Sequence, residues 1–196
     1  MSRIAPFPTV PSYRPAPSWP AELEADLRSD HAGETGAVWI YRGVRAVSRD
    51  PVLREFAARH GATEADHLAR IDATLRRDAR SRLLPLWRLA GFATGALPAL
   101  FGPRAVYATI AAVETFVDRH YAEQLERIDR LDPERADPSL QGLRTLLDDC
   151  RRDECAHRDE AAGRAQTPAR VGVAMRLWVL AVGAGSAAAV TVCRRF

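Results

Sequence analysis

The sequence contains no lysine and only three cysteines. All 28 basic residues are therefore arginine, which we attribute to a GC-rich genome. The cysteines, Cys150, Cys155 and Cys193, form no Cys-x-x-Cys pair, so the sequence suggests neither a disulfide framework nor a thiolate iron site. This cysteine set fits a reducing cytoplasm.

The N-terminus lacks the apolar segment of a signal peptide and is instead rich in proline. We expect residues 1–20 to form an extended arm and residues 21–196 to form one domain. No Gly-rich dinucleotide fingerprint is present, so NADH-derived electrons would have to arrive without a nucleotide-binding domain in this chain. Nucleic acid is not an expected partner, because the arginines alternate with Asp and Glu as on a solvated helix face.

Two copies of Glu-x-x-His, Glu64 to His67 and Glu154 to His157, are the most informative motifs of the chain. Residues three apart lie on one face of an α-helix, so each Glu and His can approach the same metal pair. Four-helix carboxylate sites take such a pair from two helices and one further Glu from each of the other two. The sequence therefore predicts half of a di-metal site.

A single Glu precedes each motif at a distance that suits a helical hairpin. Glu34 lies thirty positions before Glu64, and Glu114 lies forty positions before Glu154. This order predicts two hairpins that meet at a shared centre. A chance occurrence on solvated helix faces is less favoured, because two of only five histidines fall in the pattern. The predicted metal ligands are Glu34, Glu64, His67, Glu114, Glu154 and His157.

Helix starts are marked by a capping residue followed by proline, whose fixed φ and missing donor suit the first helical position. This form occurs at Asp50-Pro51, Asp137-Pro138 and Thr167-Pro168. Together with the apolar spacing, these marks predict an all-α four-helix bundle with helices at 21–48, 51–79, 104–131 and 138–164. Gly33 and Gly36 flank Glu34 in the first helix and indicate either close approach of another group or tight helix packing.

Two further segments are too apolar for surface loops. Residues 83–102 follow the second predicted helix, and the stretch from Leu177 to Cys193 is uncharged over seventeen residues. Seventeen residues are the lower limit for crossing a bilayer, and Ala, Gly and Ser dominate here. We therefore expect segments 83–102 and 173–193 to form a membrane-contacting hairpin and a C-terminal helix that lie on a membrane surface. A buried core is the alternative.

Several blocks resemble the demethoxyubiquinone hydroxylases. The stretch Asp30-His31-Ala32-Gly33-Glu34-Thr35-Gly36-Ala37 is similar to the first-helix signature of that family, and the resemblance runs from about Leu27 to the C-terminus. Val44 and Arg119 depart from the family pattern, but neither is a predicted ligand. Further similar blocks are Glu64-Ala65-Asp66-His67-Leu68, Pro85-Leu86-Trp87, Ala112-Val113-Glu114, His120-Tyr121 and Asp153-Glu154-Cys155-Ala156-His157.

The resemblance implies a ferritin-like fold with two iron ions bound by the same six residues. It also implies hydroxylation of the ring of a polyprenylated demethoxyubiquinol by dioxygen, in ubiquinone biosynthesis. The quinone itself could relay NADH-derived electrons. The implied location is peripheral, on the cytoplasmic face of the bacterial cell membrane, with a homo-oligomer or an accessory lipid-binding protein as further partners.

Different roles are expected for the carboxylates. Glu64 and Glu154, each beside a ligand histidine, are the expected bridges between the two ions. Glu34 and Glu114 are expected to be terminal ligands of one ion each. Four Glu would offset the charge of two ferrous ions.

The sequence also suggests positions or roles for five other residues, on weaker grounds than for the ligands. Tyr121 and His120, about two turns after Glu114, are candidate catalytic residues that line the substrate pocket or carry an electron. Asp153 is expected either to hydrogen-bond a ligand histidine or to lie on the helix surface. We expect His31 to support the site from behind or to pack in the core, and His60 to lie on the surface.

Three classes of function are compatible with these residues. The favoured one is a membrane-bound di-iron quinone hydroxylase, for which a relative of demethoxyubiquinone is an alternative substrate. The second is a ferritin-like iron-handling or peroxidase protein, which shares the ligand order but needs no membrane surface. The third is a non-catalytic helical membrane or interaction protein whose Glu and His residues are solvated.

Overall fold

The computed structural model describes residues 18–165 and 172–196. Within these residues there is no strand, and the helices are α1 (Ala21–Val47), α2 (Pro51–Thr74), α3 (Leu84–Ala99), α4 (Pro103–Leu131), α5 (Pro138–Ala165) and α6 (Val173–Cys193). The all-α prediction is confirmed. Most of the predicted proline-rich arm and the predicted helix start at Thr167-Pro168 lie outside the described residues.

Both helix starts predicted from an Asp-Pro pair are present in the structure. The side chain of Asp50 accepts a hydrogen bond from the backbone N–H of Leu53 at 2.9 Å, and α2 begins at Pro51. Asp137 accepts from the backbone N–H of Ser139 at 2.8 Å in the same way, just before α5. Each carboxylate satisfies a backbone donor that has no partner within its helix.

The second helix is shorter than predicted. It ends at Thr74 instead of residue 79, because the backbone becomes extended at Leu75. A short 3-10 helix, Arg77–Ala79, follows. Leu75 and Ala79 both pack into the apolar cluster at this end of the bundle, so burial of these two side chains decides where the helix stops.

Helices α1 and α2 pack together as one hairpin, and α4 and α5 pack together as the other. The turn of each hairpin lies at the opposite end of the bundle from the turn of the other, so their connection must run along the whole bundle. Helix α3 forms this crossover and packs along α1. The segment predicted as an apolar hairpin, 83–102, is therefore a single helix followed by a turn, since sixteen helical residues span about 24 Å.

Two apolar clusters fill the bundle, one toward each end. The first includes Leu27, Ile71, Leu125 and Leu147, and the second includes Val44, Leu53, Ile110 and Ala161. Each of α1, α2, α4 and α5 contributes to both clusters. The predicted ligands lie between the two clusters on every one of these helices, so apolar side chains close the site off from both ends of the bundle.

Glycines allow α3 to lie against α1. A Cβ at Gly91 would overlap the carbonyl oxygen of Gly36, and one at Gly95 would overlap that of Ile40. Only glycine permits this backbone approach. Tight helix packing therefore explains Gly91 and Gly95. Neither glycine near Glu34 is required in this way, because a Cβ at Gly36 would lie 3.8 Å from the carbonyl oxygen of Trp87, an ordinary contact, and one at Gly33 would meet nothing within 4 Å.

Helix α6 runs antiparallel to α3 and is fixed near both ends. The indole N–H of Trp178 donates to the hydroxyl of Thr109 on α4 at 2.9 Å. At the other end, Arg194 pairs with buried Asp26 on α1, and the backbone N–H of Arg82 donates to the carbonyl of Phe196 at 3.0 Å. Of the described helices, α6 is the one long and apolar enough to cross a membrane, with a mean hydropathy of 1.7.

Candidate metal centre

The six predicted ligands meet in the middle of the bundle, and each is at most 5% exposed. Their donor atoms form two overlapping clusters within which all atoms lie within 4.8 Å of one another. Glu64 and Glu154 belong to both clusters, an arrangement that suits bridging carboxylates. The first cluster is completed by Glu34 and His67, and the second by Glu114 and His157. Metal binding by these residues stays a prediction.

Each histidine reaches across to the opposite hairpin. Nδ1 of His157 lies 2.9 Å from Oε1 of Glu64, and Nδ1 of His67 lies 3.1 Å from Oε1 of Glu154. The same ring nitrogen, Nδ1, therefore faces the centre in both motifs. This cross-hairpin exchange places both shared carboxylates between the two rings.

Several of these buried donor atoms have no hydrogen-bond partner within the described part of the chain. They are Glu34 Oε2, both Glu64 oxygens, Glu154 Oε2 and His157 Nδ1. The 2.9 Å approach of His157 Nδ1 to Glu64 Oε1 does not have the angles of a hydrogen bond. A buried polar atom without a partner is destabilising by about 1–3 kcal/mol, and native proteins contain few. Carboxylates and imidazoles form a donor set that suits non-haem iron. The residues present therefore fit a pair of divalent metal ions, which would satisfy these atoms together.

The carboxylates of the site have displaced pKa values. Burial, together with the charge of Glu154, raises the pKa of Glu34 and of Glu114 well above the ordinary range. Burial also opposes ionisation of Glu64, but contacts with His157 and His67 outweigh it and lower the pKa of Glu64 to about 2. Crowded carboxylates of this kind require compensating positive charge.

The histidines provide that charge when no metal is bound. Burial disfavours the charged form of His157, but contacts with Glu154 and Glu64 raise its pKa to about 9. Contacts with the same two glutamates raise the pKa of His67 in spite of its burial. A ligand histidine must be neutral, so metal binding at this centre would release protons.

Glu34 and Glu114 each belong to only one of the two clusters, and each is hydrogen-bonded by a tyrosine. The hydroxyl of Tyr121 donates to Oε1 of Glu34 at 2.5 Å, and that of Tyr41 donates to Oε1 of Glu114 at 3.3 Å. Each tyrosine lies seven residues after the Glu of its own helix and contacts the Glu of the other hairpin. The sequence expectations gave a site role to Tyr121 alone. The equal spacing from Glu34 to Tyr41 was the signal that could have identified the second tyrosine.

His120 lies outside both clusters. Its Nε2 is 3.1 Å from Oδ1 of Asp30, and the side-chain amide of Gln124 donates to the same oxygen at 2.7 Å. His31 likewise makes its side-chain hydrogen bond away from the predicted ligands, from Nε2 to Asp72 at 2.9 Å, and it is buried. These two histidines are held by carboxylates of their own.

Of the two alternatives expected for Asp153, the structure shows the contact with a predicted ligand histidine, although the side chain is also 51% exposed. Its Oδ2 lies 3.1 Å from Nε2 of His67, on the side of the ring opposite the metal clusters. Such a contact fixes the ring orientation and keeps the proton on Nε2, which leaves Nδ1 available to a metal ion.

His60, expected on the surface, is only 4% exposed, so that expectation is wrong. It lies four residues before Glu64 and seven before His67, on the ligand face of α2. Its ring centroid is 4.1 Å from that of His157, with the planes at 80°. Burial and the neighbouring His157 lower the pKa of His60 to about 4, so the ring is neutral at physiological pH.

A cavity of about 420 Å³ opens from the clusters between α1, α3, α4 and α6. The four predicted glutamate ligands form part of its wall, and Tyr121 and His120 also line it. The remaining wall is mostly apolar or small, with residues such as Gly33, Ala37, Gly91, Val113, Ala181 and Gly185. A catalytic role for Tyr121 or His120 stays a prediction.

The fold and the site together define a helical-bundle protein with a paired carboxylate–histidine centre beside an apolar cavity. Residues 21–193 match the family described as Ubiquinone biosynthesis protein COQ7. The chain belongs to this family, which confirms the resemblance seen in the sequence blocks.

Individual relatives agree with the family match. The chain is 39% identical over 176 residues to the 3-demethoxyubiquinol 3-hydroxylase of Rhodospirillum rubrum, covering 83% of this chain and 79% of that protein. It is 32% identical over 182 residues, 90% of its length, to the mitochondrial NADPH-dependent 3-demethoxyubiquinone 3-hydroxylase of Mus musculus and to the 3-demethoxyubiquinol 3-hydroxylase of Variovorax paradoxus. These alignments cover 79% and 82% of the two relatives.

Proposed function

We propose that this chain is a di-iron monooxygenase that hydroxylates the ring of a polyprenylated demethoxyubiquinol in ubiquinone biosynthesis. The observation that carries the proposal is the pair of carboxylate–histidine clusters in the wall of an apolar cavity. The hydroxylase names of the relatives support the same reaction.

The reaction replaces a ring C–H bond by C–OH, and it consumes one dioxygen, two electrons and two protons to give the hydroxylated ring and one water. Two iron ions bound by the six predicted ligands would supply the activation of dioxygen. The electrons would come from NADH through the quinone substrate. Tyr121 and Tyr41 would hold the two terminal carboxylates, and Asp153 would fix the ring of His67.

The cavity suits a quinol ring. Its volume of about 420 Å³ lies within the range of about 300–1,000 Å³ that is usual for small-molecule sites. Its apolar wall excludes water from the reacting ring, while Tyr121 and His120 provide polar groups near the clusters. The ring would lie beside these residues, and the polyprenyl tail would leave between α3 and α6, which both contribute to the wall.

Large apolar side chains are exposed on both of these helices. Leu89 on α3 is 67% exposed, and Phe101, just after this helix, is 79% exposed. On α6, Leu177 is 60% exposed and Leu180 is 67% exposed. Exposed apolar surface of this extent marks an interaction site. Because α6 is attached to the bundle near both ends, we propose that it lies along the cytoplasmic membrane surface instead of crossing it. A polyprenylated substrate could then enter from the bilayer.

The first experiment compares quinone intermediates by mass spectrometry in a strain that lacks this chain. The strain is complemented either with the wild-type gene or with Glu154→Ala. Demethoxyubiquinone that accumulates and is removed only by the wild-type gene would support the reaction and the metal centre together. An unchanged quinone profile would contradict the proposal and favour iron handling or another substrate.

The second experiment tests the membrane surface by flotation of the purified protein with lipid vesicles. Leu177→Glu combined with Leu180→Glu should weaken binding by about tenfold or more, because charged side chains are unfavourable in the apolar layer. Leu131→Glu is the control, since Leu131 is 47% exposed at the end of α4. Equal loss of binding in the control would contradict the assignment of this face.

A further inference from the structure

The two predicted ligand histidines are supported from behind in different ways. Nε2 of His67 faces Asp153, the residue just before Glu154. The matching residue just before Glu64 is Thr63, whose hydroxyl donates to the backbone carbonyl of Arg59 at 3.5 Å. The first motif therefore offers no carboxylate at the position equivalent to Asp153.

His60 lies beside His157, the histidine without this carboxylate. The two rings are nearly perpendicular, with centroids 4.1 Å apart. Phe56 packs against His60 with a centroid distance of 4.1 Å, and Tyr41 stacks on it at 5.9 Å. These neighbours leave the His60 ring little room to move, so the surface against which the His157 ring packs is fixed.

Glu160 fixes the orientation of His60. Its Oε2 lies 2.9 Å from Nε2 of His60, and its Oε1 accepts from Arg59 at 2.8 Å and from Arg164 at 2.9 Å. A carboxylate held by two arginines has few alternative positions. Because a carboxylate oxygen accepts the hydrogen bond, Nε2 of His60 carries a proton in this contact, and the contact keeps the ring from flipping.

We propose that His60, held by Glu160, is a positioning residue that orients His157 toward the metal pair, in place of the carboxylate that supports His67. The proposal rests on the proposed metal centre. Neither His60 nor Glu160 belongs to the two donor clusters, so both would act through His157. The two metal positions would then depend on different supports, Asp153 for one and the His60–Glu160 pair for the other.

The test is a titration of the purified, metal-free full chain with Co²⁺, followed by visible absorption, which reports the ligands of each bound ion. His60→Leu keeps an apolar side chain behind His157 but loses the hydrogen bond to Glu160. Glu160→Ala removes the fixed carboxylate. Loss of such an outer contact lowers metal affinity by about 10–100-fold.

We expect the wild type to bind two ions. His60→Leu and Glu160→Ala should each weaken one of them by about tenfold or more and alter its spectrum, with the other ion unchanged. The double variant should be no weaker than His60→Leu, because Glu160 acts through His60. Asp153→Asn should weaken the other ion instead. Asp159→Asn is the matched control, since this neighbouring carboxylate is 70% exposed and pairs with Arg158.

The outcomes separate the two proposals. A wild type that binds fewer than two ions would overturn the metal centre. Two ions in the wild type, with unchanged titrations of His60→Leu and Glu160→Ala, would overturn the positioning role alone. A double variant weaker than His60→Leu would show that Glu160 does not act through His60. Thermal unfolding of the metal-free proteins checks their folding, and Glu160→Ala carries the test if His60→Leu does not fold, because Glu160 is 28% exposed.

Discussion

The α1–α2 and α4–α5 hairpins contribute equivalent residues to the centre but have different surroundings. Each supplies one lone Glu, one Glu-x-x-His motif and one tyrosine seven residues after the lone Glu. Tyr121 lines the cavity, whereas Tyr41 is enclosed by Phe56 and His60. The repeated residues thus account for the predicted metal centre, and the differences between the halves account for the position of the cavity beside it.

The two apolar helices add to this difference. Helix α3 packs on α1 through glycines, while α6 packs mainly on α4, with Trp178 bound to Thr109. Helix α3 is therefore held by close backbone contact, whereas α6 is held by side-chain contacts, Trp178 with Thr109 on α4 and Arg194 with Asp26 on α1. The cavity lies where these two attachments leave space.

The largest effects should come from the residues that the two halves share. Glu64→Gln and Glu154→Gln should each lower hydroxylation by at least about 100-fold with loss of bound iron, because each residue belongs to both clusters. Iron content and quinol turnover are the measurements. Glu126→Gln, at a 73% exposed position on α4, should leave both unchanged. A large loss in only one of the two variants would contradict the equivalence of the halves.

Substitution of the two tyrosines should lower kcat to different extents in the two halves of the bundle. Tyr121→Phe removes a short hydrogen bond to a carboxylate, worth about 1.5–3 kcal/mol, and should lower kcat by about 10–100-fold. Tyr41→Phe removes a longer contact away from the cavity and should lower kcat by less than about fivefold. Steady-state kinetics with a short-chain quinol measure both. Equal losses would show that the cavity does not distinguish the two residues.

The attachment of α3 should be sensitive to a single methyl group. Gly95→Ala should lower the free energy of unfolding by about 1–3 kcal/mol, because the new Cβ would overlap the carbonyl oxygen of Ile40. Gly183→Ala in α6, where a Cβ meets nothing within 4 Å, should instead raise it by about 0.5–1 kcal/mol. Denaturant unfolding measures both values, and a destabilising Gly183→Ala would contradict this packing.

The attachment of α6 should be the least sensitive. Thr109→Val removes the acceptor of the Trp178 indole and the hydroxyl that donates to the backbone carbonyl of Ala105. It should lower the free energy of unfolding by about 0.5–1.5 kcal/mol, since the bond to the indole is lost while the Ala105 carbonyl keeps its backbone bond within the helix. Thr109→Ser keeps the hydroxyl and should be closer to the wild type. Thermal unfolding compares the two variants, and a larger loss in Thr109→Ser would indicate that the threonine methyl group matters more than the hydrogen bond.

Spacing along the sequence was sufficient to select the six residues that meet in the structure. Periodicity places Glu34 and Glu114 on the same helix faces as the apolar stripes, and each Glu-x-x-His motif follows at hairpin distance. His60 precedes Glu64 by four residues, so the same rule could have placed it on the inner face. The residues on either side of it, Arg59 and Gly61, give no local sign of burial.

Features that depend on contacts between distant segments were harder to predict. No glycine or proline marks the end of α2 at Thr74. The helix ends there where Leu75 becomes extended and its side chain packs into the apolar cluster. The pairing of Gly91 with Gly36 joins two helices that no local pattern relates. The cavity likewise arises from four helices together, so no single segment of the sequence reveals it.

The layer of ligands between two apolar clusters has a consequence for local motion. Helix ends fray more readily than helix centres, and here each fraying end is separated from the ligands by a complete apolar cluster. Backbone amides near Glu34, Glu64, Glu114 and Glu154 should therefore be among the slowest to exchange with deuterated water. The bundle can open at either end while the geometry of its centre is kept.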